Sequence, residues 1–137
     1  MTALTELLHF DRQTQALGQV SGRLGWDQET MMPSGSSAQR GEEMAALEGV
    51  LHARRSDPRV GDWLAACDGQ AFDRVTQAQL REIKTAYERA VKVPGDLAEA
   101  IASTTSMAQG KWAAARAEDD FAAFAPVLQE VLALKRT

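Results

Sequence analysis

Apolar residues recur along this chain at helical rather than strand spacing. Leu4, Leu7, Leu8, Leu17, Ser21 and Leu24 fall near one side of a first helix over roughly Ala3 to Leu24. Asp11 and Thr14 interrupt that stripe, and glycines at 18, 22 and 25 weaken its second half. Pro33, Gly35 and three serines predict a turn or extended link over residues 25–37. A second helix is expected from about Ser37 to Arg55, with Met44, Leu47 and Leu51 inward. Asp57-Pro58 pairs a capping carboxylate with proline at the first helical position, and opens a short helix that Asp68-Gly69 ends. Thr76 and Gln79 read as a capping box ahead of Leu80, Ile83, Tyr87 and Val91. Beyond Pro94-Gly95, a long helix is predicted from Asp96 to Ala117, its face carrying Leu97, Ile101, Ala108, Trp112 and Ala115. A final helix holds Phe124, Val127, Val131 and Leu134 on one side, starting near Phe121 and bending at Pro126. No alternation of the strand type is sustained. The fold class read from this pattern is all-α, a compact assembly of about five to six helices forming one domain over residues 1–137.

Composition sharpens the picture in one respect. Alanine supplies 24 of the apolar residues, while Leu, Ile, Val and Phe together number 27. Alanine favours helix and close helix approach, yet adds little buried area. The core is therefore lean: either a small Ala-rich bundle, or a piece whose apolar faces want a partner. The net charge of -4 comes with cations and anions interspersed. Without a basic stripe to neutralise phosphates, nucleic acid is not an expected partner. No apolar run reaches the roughly 20 residues that span a bilayer, so no membrane partner is expected either. The single cysteine, Cys67, suits a reducing compartment. Met1 to Phe10 contain Glu6 and no basic region, unlike a secretory signal.

Candidate chemistry is sparse. A zinc site needs three or four converging ligands, and His9, His52 and Cys67 are isolated from one another in sequence. No glycine-rich segment has the phosphate-loop pattern. Glu118, Asp119 and Asp120 read as a solvated charge run at a helix end. Gly25-Trp26-Asp27-Gln28-Glu29-Thr30 joins a large aromatic to two acids and an amide, as either a ligand wall or a packed corner.

That stretch, continued through Met31-Met32-Pro33, resembles the opening signature of the carboxypeptidase Taq family, the M32 zinc metallopeptidases. Agreement continues in Arg40, Leu47, Tyr87, Arg89-Ala90, Pro94 and Leu97. A second block matches in Ser106, Trp112, Ala115-Arg116, Asp120-Phe121, Phe124, Pro126 and Leu128. The resemblance covers essentially the whole chain. It implies a mostly helical, cytoplasmic and usually homodimeric parent enzyme that removes residues one at a time from peptide C-termini.

Such enzymes are far longer than this chain. Their zinc is held by a His-Glu-x-x-His motif and a distal glutamate, all downstream of the matched region. No catalytic or metal-ligating residue is carried over, and no cofactor is expected in this segment, although the parent would hold zinc or another divalent metal. The implied partners are the missing catalytic portion, the parent's peptide substrate and a second copy. Trp26, Asp27, Arg40, Trp112 and Arg116 become candidate groove-wall or supporting residues. The rival reading is a non-enzymatic helical interaction module. A segment of a larger enzyme is expected to expose more than one apolar area, and to self-associate through Phe124, Val127, Val131 and Leu134 of its last helix.

Overall fold

The computed structural model describes residues 2–137, and among them every regular element is helical. The order is α1 (Ala3–Thr30), a 3₁₀ turn (Ser34–Ser36), α2 (Ser37–Arg55), α3 (Pro58–Cys67), α4 (Arg74–Ala90), α5 (Gly95–Ala117) and α6 (Phe121–Arg136). Helices α2 and α5 pack most extensively, α6 lies on α5, and α1 rests on α2 and α3. Glycine makes the central contact close. A Cβ at buried Gly41 of α2 would stand 3.1 Å from Met107 Cγ and 3.3 Å from Ser103 Oγ on α5.

Two of the expected boundaries move. Helix α1 does not stop at Leu24 but continues through Gly25 and Trp26 to Thr30. The glycine penalty of about 1 kcal/mol each is local. Tertiary bonds to α2 and α5 hold the extra turns, as described below. The Met31 N–H closes the helix on the Asp27 carbonyl just before Pro33. Helix α4 starts at Asp73 rather than Thr76: the Asp73 carboxylate accepts from the N–H groups of Val75 and Thr76 and from the Thr76 hydroxyl. A carboxylate three residues upstream outcompetes the threonine, which becomes its donor. Asp57 caps α3 with Pro58 at its first position, as expected, accepting from the Arg59 N–H at 2.9 Å. Asp120 caps α6 through the Ala123 N–H, and Pro126 lies inside the helix.

The core is small. Leu7 of α1 and Leu51 of α2 are the large side chains fully enclosed, joined by Val60, Cys67, Ala98, Ala115 and Val127. Val127 is therefore packed within its own chain, with Phe124, Val131 and Leu134 half-buried around it. The stripe expected to serve self-association is thus buried at Val127 and half-exposed on either side of it. The exposed apolar side chains of α6 are instead Phe121 and Leu132.

Candidate functional site

Arg40 projects from the first turns of α2 into the end of α1. Its Nη2 donates to Asp27 Oδ2 at 2.6 Å, its Nε to Glu43 Oε2 at 2.9 Å, and its Nη1 to the Leu24 carbonyl. The guanidinium is largely buried, while both carboxylates keep partial contact with solvent. The hydrogen bond that Arg40 donates to Asp27 raises the Arg40 pKa above its usual value, against the opposing effect of burial. This cation is permanently charged, so the cluster offers orientation rather than proton transfer. One residue along α1, Gln28 donates from Nε2 to the Ser106 carbonyl at 2.8 Å and accepts from the Ser106 hydroxyl at 2.7 Å. The last turns of α1 are thus tied to both α2 and α5. A shallow recess of about 150 Å³ opens beside Asp27, Met32, Gln39 and Arg40.

The remaining candidates lie elsewhere. Trp112 and Arg116 of α5 line a cleft of about 290 Å³ with Phe121 and Phe124 of α6, at the corner where the two helices meet. Asp119 turns that corner with φ 53°, a left-handed conformation uncommon outside glycine. Arg116 and Asp119 approach within 3.5 Å in a fully solvated pair. Trp26 is 65% exposed and lines neither recess. Of the five candidates, two form a buried brace, two line an aromatic cleft, and one stands in solvent.

Sequence reasoning missed a second brace. Arg54 lies over the Phe10 ring at 4.0 Å. It donates to Thr14 Oγ1, the Phe10 carbonyl and Gln13 Oε1. Buried Thr14 in turn donates to the Phe10 carbonyl. The signal was present, since a threonine interrupting an apolar stripe needs a polar partner when buried.

The possible metal ligands do not assemble. Among the described residues, no group of three or more His, Cys, Asp and Glu side chains is placed to hold an ion. His9 meets Gln13 on the surface, while His52 Nε2 lies between the carbonyls of Ala90 and Val93 and caps the end of α4. Cys67 is buried, which pushes its thiol pKa up and away from the thiolate a metal requires.

Residues 6–137 match the family described as Carboxypeptidase Taq (M32) metallopeptidase. The chain belongs to this family. It is 39% identical over 138 residues to thermostable carboxypeptidase 1 of Thermus thermophilus, matching 98% of this chain and 27% of the relative. The protein of the same name from Pyrococcus furiosus is 25% identical, with 97% of this chain and 27% of that protein matched. Among solved structures, metallocarboxypeptidase 1 of Trypanosoma cruzi superposes with a TM-score of 0.69 at 28% identity, over 96% of this chain and 27% of that one. The chain thus spans about a quarter of the length of these relatives, and the residues described here do not themselves fit a metal site.

Proposed function

We propose that this chain is the N-terminal helical segment of a metal-dependent carboxypeptidase that releases C-terminal amino acids from peptides. In this reading it shapes one side of the substrate groove, and zinc or another divalent metal is held by residues outside it. The observation that carries the proposal is the match of nearly the whole chain to about a quarter of relatives named carboxypeptidases. Arg40, Asp27 and Gln28 serve as positioning residues, fixing the end of α1 against α2 and α5. Trp112 and Arg116 stand as wall residues on the α5–α6 corner. Buried Cys67, with no second cysteine in the chain, is compatible with the reducing cytoplasm. The homodimer implied by the family resemblance belongs to the same proposal.

The decisive experiment is a graft. Residues 1–137 replace the matching segment of the Thermus thermophilus carboxypeptidase, and release of C-terminal residues from a short peptide is followed with zinc present. Turnover within about tenfold of the parent supports the reading. A graft that folds, binds zinc and releases nothing overturns it, and favours the interaction-module alternative instead.

A further inference from the structure

Three recesses stand out beyond the Arg40 brace, and they differ in character. Those beside α4 set ionic side chains, Arg81 and Lys84 in one and Arg74 and Glu82 in the other, among aliphatic ones such as Leu80, Val75 and Ile83. The cleft at the α5–α6 corner is different: its walls are Trp112, Phe121 and Phe124, with Ala115 at its base. Its three charged groups are already committed in part. Arg116 lies beside Asp119, and Asp120 is occupied by the Ala123 N–H. Phe121 is 67% exposed and Trp112 49%, an unfavourable arrangement for aromatic rings facing only solvent.

We infer that this cleft is a socket receiving an apolar side chain from the catalytic portion of the parent enzyme. The inference rests on the function proposed above. Three observations select the occupant. The relatives extend well beyond the match, which covers 27% of their length, so a large body of chain is available to dock. Aromatic residues flanking a small cavity are the usual centre of an energetically dominant contact. A volume of about 290 Å³ leaves room for a leucine or phenylalanine side chain inserted between the rings.

The test reads the chemical accessibility of Phe121→Cys, both in the isolated chain and in the full-length graft, by maleimide labelling and peptide mass mapping. Lys84→Cys on α4 is the exposed control. Docking should slow labelling at position 121 at least tenfold in the graft while position 84 stays reactive in both. Equal labelling at 121 in an active graft overturns the socket and leaves the carboxypeptidase reading intact. Protection at 121 in a folded but inactive graft supports the socket and counts against that reading. Should the graft fail to fold, toluene titrated into the isolated chain gives an independent answer by NMR. Shifts confined to the Trp112 indole and the Phe121 and Phe124 rings support the socket, and the absence of any shift there overturns it.

Discussion

Thr14 shows how a single hydroxyl can organise two helices. It is buried, donates to the Phe10 carbonyl and accepts from Arg54 Nε at 3.0 Å. Replacing it with valine keeps the shape but leaves an Arg54 donor facing a methyl group. An unmet buried donor costs about 1–3 kcal/mol, so Thr14→Val should lower the urea midpoint despite adding apolar surface. Asp57 makes a different prediction, through its titration. The side-chain bond from Arg59 holds its carboxyl below the usual carboxylate range. The unfolded state therefore takes up the proton first as pH falls. The stabilisation is complete above about pH 4 and is lost as pH drops through the folded value. Asp57→Ala should cost about 1 kcal/mol of capping at pH 7, and thermal melts of variant and wild type should converge toward pH 2. Asp73 shifts in the same direction through Thr76, and steepens the same acid limb.

Among the helices, α4 is the least secured. None of its residues is buried, and its end is held by His52 from α2. Hydrogen exchange followed by mass spectrometry should find α4 amides exchanging before those of α2 and α5. His52→Ala should speed α4 further, at a cost of about 1 kcal/mol, without altering α5. Exchange of α4 in step with the whole chain would refute this. The existence of the helices was legible in the sequence because most kept their apolar spacing, and α3 because Asp57-Pro58 opened it and Asp68-Gly69 closed it. Boundaries were less so. The glycines near position 25 argued for a break, and only Arg40 and Gln28, reaching from or to distant helices, explain why α1 persists to Thr30. The candidate site was legible only as residues. Nothing in their spacing indicated that Asp27 pairs with Arg40 while Trp112 and Arg116 line a separate cleft.

At the scale of the whole chain, the lean core expected from the alanine content is what the structure contains. Leu7 and Leu51 alone among the large described side chains are completely enclosed. Leu51→Ala should therefore cost about 2–5 kcal/mol, a large share of the roughly 5–15 kcal/mol that holds an ordinary domain. Equilibrium unfolding in urea should show the transition moving sharply to lower concentration. Exchanging exposed Leu132 for alanine should leave it within about 0.5 kcal/mol.

The two ties at the end of α1 also set an order of events in time. Arg40 reaches the Leu24 carbonyl across 16 residues, whereas Gln28 reaches Ser106 across 78. Closing the longer loop carries about 1.4 kcal/mol more chain entropy when nothing between has yet formed. The α1–α2 hairpin is thus the natural nucleus, and α5 is captured afterwards by a helix end that is already in place. In stopped-flow refolding, Arg40→Met should slow folding, while Ser106→Ala should chiefly hasten unfolding. During synthesis on the ribosome, the clamp would be set while the residues that complete it are still unmade.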